Sequence, residues 1–341
     1  MRLYRVILTG LGNVGLNFLR LLVERDAIMQ SRYGLTLKIV GVADTSGVLT
    51  SERGLDLAQI ISLKEQRLGV ASLGRSRTTA VALVQECAAD VLLDATPNDL
   101  KTGQPGLDLA RTALKKGMHV VLASKSPLVI AYQELAALST RQSMLRFSGA
   151  VCGAMPTVNV GRRDLAASNI QRVEAVLNTT TQIILWLMSS GSSYDEALTE
   201  ARRMGVVETD PSFDVDGWDT ANKLVIIANS VLNFPAKLND VVVKGIRTEM
   251  AEDLQKARRE GQSLILLGLA EQVAEGAYYL SVQPTLVNPS HPLGRLGLDE
   301  MGIVYHTDLF GRVTVTSAKQ GPIGASAAML RDVIDIHMSS I

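Results

Sequence analysis

The segment Gly10-Leu-Gly12-Asn-Val-Gly15 most narrows what this chain can fold into. It follows a short apolar run, Leu3–Thr9, and opens a helical pattern over Val14–Arg25. Between a strand and a helix, glycines at this spacing allow a tight turn and close helix packing. They also let the backbone approach a pyrophosphate lying over the helix N-terminus. Alone the pattern is weak, but its surroundings strengthen it. A second strand is predicted at Leu37–Asp44, helical segments near Leu55–Leu63 and Thr79–Cys87, and a third strand at Val91–Asp94. Helix Leu107–Lys116, strand His119–Ala123, helix Leu128–Thr140 and strand Met144–Phe147 continue the alternation. That order specifies the α/β class, with a doubly wound parallel sheet.

The character changes after residue 150. Helices are predicted at Gln182–Met188, Ser193–Met204 and Asp219–Leu232. Strand-like stretches follow at Val241–Val243, Leu264–Glu271, Ala277–Pro284 and Val313–Thr316, a mixed α+β pattern. The last helix, Ala325–His337, has no neighbour in sequence and is free to return to the first domain. We therefore expect a nucleotide-binding domain over residues 1–150, completed by 322–341, and a second domain over 151–321. An apolar content of 47% with 20% charged residues supplies two cores in 341 residues. Zero net charge leaves no footprint for nucleic acid or an anionic membrane, and 4% aromatic residues argues against base stacking. Apolar runs such as Leu264–Leu267 are too short to span a bilayer. Met1-Arg2-Leu3-Tyr4-Arg5 leads into a strand without the features of a secretory signal. With only Cys87 and Cys152 available, no disulfide framework is expected, and the location expected is the cytoplasm.

Within the first domain, the expected cofactor-binding set is Gly10, Gly12, Asn13, Val14, Gly15, Asp44, Thr96, Ser124 and Lys125, of which the Gly10–Gly15 turn and Asp44 are read from the residues themselves. An acid at the end of the second strand, Asp44, can bond the adenosine ribose hydroxyls and favour NAD. Thr45 and Ser46 leave room for a 2′-phosphate, so NAD and NADP both stay open. No metal site is expected. In the second domain, Glu208 to Asp219 holds five acids in twelve positions, and Lys223 follows on a helix. Asp219 and Lys223, four apart, share a helix face. Acids around one ammonium suit a site that binds a zwitterion and moves a proton. The same spacing also marks an ordinary helix start with a surface ion pair.

Several segments together resemble the homoserine dehydrogenases, over essentially the whole length and without the regulatory domain some members carry. They are Gly10–Gly15, Val120–Leu128 with Lys125, Gly153-Ala-Met-Pro156, Leu177–Thr181, Glu200–Pro211, Asp214–Lys223 and Ser326–Asp332. The resemblance implies a Rossmann domain completed by the C-terminal helix and a substrate domain that forms a homodimer. It implies reversible NAD(P)H-dependent reduction of the small molecule L-aspartate 4-semialdehyde to L-homoserine, a step in threonine and methionine biosynthesis. Residue by residue, Lys125 and Lys223 match lysines near the carbonyl, and Glu208 matches the residue holding the substrate amino group. Asp214 and Asp219 match acids lining that site, and Asn178 and Thr180 match a turn beside nicotinamide and substrate. Lys125, Lys223 and Asp219 form the catalytic set, with the two lysines neutralising the forming alkoxide and Asp219 orienting Lys223.

The chain departs from the family at Ser124, where an asparagine is usual, at Thr179 for a glycine, and at Val206 for a tyrosine. Ser148 stands where a glutamate helps build a monovalent-cation site, so little dependence on sodium or potassium is expected. These changes leave open a paralogous dehydrogenase with a shifted substrate, or a catalytically silent nucleotide-binding dimer. Cys152 could instead act as a thioester-forming nucleophile. None of His119, His291, His306 and His337 sits in a convincing base motif, so a buried thiol is the better reading.

Overall fold

The computed structural model describes residues 1–74, 78–207, 210–318 and 321–340. The chain divides into two compact units, Met1–Ala154 with Gly321–Ile341, and Met155–Gln320.

In the first unit, β1 (Arg2–Thr9), β2 (Leu35–Asp44) and β3 (Gly47–Thr50) precede β4 (Val91–Asp94), β5 (His119–Leu122) and β6 (Leu145–Arg146). They form one sheet in the order β3-β2-β1-β4-β5-β6. All neighbours are parallel except the β2–β3 hairpin. β4 and β5 are buried along their whole length, as strands covered on both faces must be. The helices are α1 (Asn13–Tyr33), α2 (Leu57–Glu65), α3 (Ala80–Glu86), α4 (Gly106–Lys115) and α5 (Ser126–Leu138). α1 stops at Gly34, which takes the left-handed conformation and bonds back to the carbonyls of Gln30 and Met29. The C-terminal helix, Pro322–Met338, packs Met329, Val333 and Ile336 into the same core as Phe18 and Leu19 of α1. Ser326 Oγ donates to the Val14 carbonyl at one end of α1, and His337 Nε2 meets the Tyr33 carbonyl at the other. The chain leaves β1 toward β2 and β3, then returns to β4 on the opposite side. The order therefore reverses between β1 and β4, where such sheets bind ligands beyond the strand ends.

The second unit contains short α6 (Thr157–Asn159), β7 (Ile170–Val176), α7 (Thr179–Ser189), α8 (Tyr194–Arg203), α9 (Ser212–Val215) and α10 (Trp218–Ser230). Then come β8 (Val241–Val243), α11 (Ala251–Arg259), β9 (Ser263–Ala274), β10 (Ala277–Val287), β11 (Met301–Thr307) and β12 (Gly311–Ser317). The sheet order is β12-β11-β7-β9-β10-β8, antiparallel apart from β8 on β10. α10 lies so close to β9 that a Cβ on Gly268 would sit 3.2 Å from Thr220 Cγ2.

Strand β7 was not expected, because Arg172 and Glu174 interrupt its apolar run. The sheet tolerates them by pairing. Arg172 donates to Glu174 at 2.9 Å and Glu271 at 2.8 Å, while His306 and His291 approach Glu174 Oε2 at 2.7 and 3.2 Å. Strand β11, β3 and helix α11 were likewise not expected. Among the described residues, no helix is long and apolar enough to cross a membrane.

Candidate functional site

At the reversal point, β1 and β4 end side by side with Thr9 opposite Asp94. The three glycines that follow β1 are each required differently. Gly10 turns at φ +83°, and a Cβ there would collide with the carbonyl of Ala95. A Cβ on Gly15 would collide with the Gly10 carbonyl, whereas one on Gly12 would meet nothing within 4 Å. Gly12 caps α1 without a side chain. The first-turn amides at Asn13, Val14 and Gly15 are left unpaired by the helix, and the space beside Gly12 that a Cβ would take is open. An open cradle over a helix N-terminus fits the pyrophosphate of a nicotinamide dinucleotide.

Below that cradle lies Asp94, fully buried, which accepts hydrogen bonds from Thr9 Oγ1 at 2.8 Å and from Ser124 Oγ. Burial pushes its carboxyl above the usual carboxylate range, with Ser124 pulling the other way. The Thr96 amide approaches the same carboxylate at 3.3 Å. Lys125 stands at the entry to α5, its amide donating to Asn98 Oδ1 at 2.6 Å. Asn98 thus performs the capping that neither Ser124 nor Lys125 side chains perform, and also accepts from the Ser126 amide. Asp44 is not presented freely at the end of β2. Its Oδ1 accepts from the amide and hydroxyl of Ser46, and its Oδ2 from Lys64 Nζ at 2.7 Å and the Val70 amide at 3.2 Å. Burial raises this carboxyl, but Lys64 and Ser46 outweigh it and hold the group below its ordinary value.

In the second unit, the structure brings Asn178, Asp214, Asp219 and Lys223 into one network. Asn178 caps α7, its Oδ1 accepting from the Thr181 amide, while its Nδ2 donates to Asp214 Oδ1 at 2.7 Å and Asp219 Oδ2 at 2.9 Å. Lys223 Nζ lies 2.6 Å from Asp219 Oδ2 and donates to the Leu177 carbonyl at 2.6 Å. Only 12% of the lysine and 8% of the aspartate side chain is exposed, so this is not a surface pair. Its positioning comes from Gly217, which enters α10 at φ +88° where a Cβ would lie 3.1 Å from Val282. Thr180 Oγ1 turns to the Val206 carbonyl at 2.9 Å. Glu208 lies outside the described residues.

Cys152 is buried, and each histidine is engaged by a partner elsewhere. His119 accepts from the Met144 amide, His337 meets Tyr33, and His291 and His306 rest on Glu174. Four participants were not read from the sequence: Lys64, Asp94, Asn98 and the Leu177 carbonyl. Asp94 left a trace, as a charge closing the apolar run Val91-Leu-Leu; the other three left none.

Comparison with known proteins follows the same division. The family model for homoserine dehydrogenase matches residues 156–334, and that for glutamate/leucine/phenylalanine/valine dehydrogenase matches residues 1–113. The chain is 33% identical to the NAD(+)-dependent homoserine dehydrogenase of Pseudomonas canavaninivorans, covering 99% of this chain and 97% of that one. It is 34% identical to a homoserine dehydrogenase of Methanocaldococcus jannaschii, over 98% and 99% of the two chains. The solved homoserine dehydrogenase of Thermoplasma acidophilum superposes with a TM-score of 0.83 at 28% identity, covering 100% of both chains. With a glycine-rich strand-to-helix turn in the first unit, a buried lysine–carboxylate network in the second and matches of this length across both, the chain belongs to the homoserine dehydrogenase family.

Proposed function

We propose that this chain interconverts L-homoserine and L-aspartate 4-semialdehyde, with NAD or NADP as the hydride carrier. The observation that carries the reading is the buried run of contacts Lys223–Asp219–Asn178–Asp214. In aldehyde reduction, a lysine ammonium polarises the carbonyl oxygen and supplies the proton the forming alkoxide needs; in the reverse direction the amine recovers it. We assign that work to Lys223. Asp219 and the Leu177 carbonyl fix where its Nζ stands, and Asn178 in turn fixes Asp219. Asp214 and Glu208 suit the substrate ammonium, and Thr180 ties the start of α7 to the segment before Glu208. Lys125 serves as a second cation for the carbonyl. When bound, the dinucleotide supplies the hydride. Gly10, Gly12, Asn13, Val14 and Gly15 hold its pyrophosphate, Asp44 its adenosine ribose, and Thr96, Ser124 and Lys125 line the path toward its nicotinamide. The substrate unit also serves as the contact surface of a homodimer, and the protein works in the cytoplasm.

The test is homoserine oxidation by the purified chain, with NAD and NADP run in parallel. Turnover with at least one is expected. Cofactor binding without turnover in either direction would instead identify a silent nucleotide-binding protein.

A further inference from the structure

Lys125 opens α5 as its cap residue but supplies no side-chain cap. The cap comes instead from 27 residues earlier in the chain: Asn98 Oδ1 accepts from the Lys125 amide at 2.6 Å and from the Ser126 amide at 3.1 Å. On the other side of the lysine, Ser124 is buried with its hydroxyl on Asp94. The main chain of Lys125 is thus gripped before and after by side chains of one short segment, residues 94–98. That segment is itself fixed. The Ala95 amide donates to the Thr9 carbonyl and the Ala123 amide to the Asp94 carbonyl, each at 2.8 Å. A Cβ on Gly106 would lie 3.0 Å from Asp94 Oδ2 and 3.2 Å from Ser124 Oγ, so α4 starts hard against the same pair. Behind the exposed Asn98, Asp99 Oδ1 accepts from the amides of Lys101 at 2.9 Å and Thr102 at 3.3 Å, which orders the loop presenting it. The segment also abuts the glycine turn, where a Cβ on Gly10 would strike Ala95. Residues 94–98 therefore tie the turn assigned to the cofactor to the backbone that carries Lys125, all within the first unit.

We propose that Asn98 is a positioning residue for Lys125, setting where its ammonium stands relative to the cofactor turn; this rests on the assignment of Lys125 to the substrate carbonyl. One of the two amides that Asn98 holds is that of the lysine itself. Releasing it frees rotation of the Lys125 backbone, and a small rotation there is magnified at the end of a long side chain. Misplacement of a reacting group by about 1 Å costs on the order of a hundredfold in rate.

Two readouts on the full chain test it. Reductive ¹³C-methylation gives each lysine its own NMR signal, and Lys125→Arg identifies that of Lys125. Asn98→Ala should move or broaden this signal and leave that of Lys64 in place, whereas Asn98→Asp, which can accept from the same amides, should restore it. In homoserine oxidation, Asn98→Ala should lower kcat/KM roughly tenfold to a hundredfold. Asn98→Asp should stay within about threefold of the parent. In a Lys125→Ala background, Asn98→Ala should cost about twofold or less, because no ammonium is left to place. An unmoved Lys125 signal, an unchanged kcat/KM or a failure of aspartate to rescue would each overturn the proposal. A full, additive loss in the Lys125→Ala background would also overturn it and reduce Asn98 to a helix cap. Asn98→Ser, too short to hold both amides, takes the place of alanine if that variant fails to fold. A parent without turnover would defeat the activity reading alone, and the Lys125 signal would still decide whether Asn98 places the lysine.

Discussion

Lys64 reaches across from α2 to Asp44 at the end of β2, Nζ to Oδ2 at 2.7 Å, with 18% and 7% of the two side chains exposed. An acid at this place favours ribose hydroxyls over a 2′-phosphate, and the ammonium beside it offsets that preference. Lys64→Ala should therefore leave Asp44 as the dominant charge and lower the NADP/NAD ratio of kcat/KM. One charge-assisted bond is worth about tenfold in that ratio. Parallel steady-state kinetics with the two cofactors check it, and an unchanged ratio would remove the pair from cofactor choice.

The glycines after β1 should separate by consequence. A Cβ at Gly12 has nothing within 4 Å to strike, so Gly12→Val should fold normally and yet bind nicotinamide cofactor poorly. Gly10→Ala places its methyl into the Ala95 carbonyl and holds a residue with a side chain at φ +83°, so it should fail at the level of the fold. Thermal unfolding and cofactor titration on both variants distinguish the two. Parent-like cofactor affinity in Gly12→Val would disprove the pyrophosphate assignment.

Much of this arrangement is legible in the sequence. The Gly10–Gly15 turn, the strands β1, β2 and β4, and the helix carrying Lys223 follow from periodicity and from what glycine alone permits. What was not legible depends on partners distant in sequence. Strand β7 conceals its period because Arg172 and Glu174 are paired with Glu271, His291 and His306, roughly a hundred residues or more away. Asp44 read as a free acid because Lys64 and the Val70 amide reach it only in the fold. The Asp219–Lys223 spacing fitted a surface pair equally well; burial distinguishes them, and burial is a property of the packed chain.

Asp332 carries a pH dependence that can be measured. It is fully buried against Ser148, whose amide and hydroxyl donate to its two oxygens at 2.7 and 2.6 Å, and burial raises its carboxyl to about 6. The folded chain then holds a proton that the unfolded chain releases near pH ~4. The stability contribution is complete below that point and is lost as pH rises through about 6. Between pH ~5 and ~7.5 the loss should be on the order of 1 kcal/mol. Urea unfolding at both pH values should show a shallower fall in Asp332→Asn than in the parent, whatever the absolute stability of the variant. Equal falls would show that Asp332 does not titrate in this range.

Lys223 should separate chemistry from binding. If it moves the proton, Lys223→Ala should lower kcat by roughly 10²–10⁴-fold while cofactor affinity stays near normal, because the contact matters most in the transition state. Lys223→Arg preserves charge toward Asp219 but does not readily release a proton, so it should recover stability better than turnover. A purely structural lysine predicts the opposite. Removing one partner of a buried pair costs about 3–5 kcal/mol of stability, and arginine would then restore kcat along with the fold. Urea unfolding and single-turnover hydride transfer on the two variants, measured together, decide the matter. Restoration of turnover by arginine would leave Lys125 as the proton donor and reduce the Lys223–Asp219 pair to a structural support.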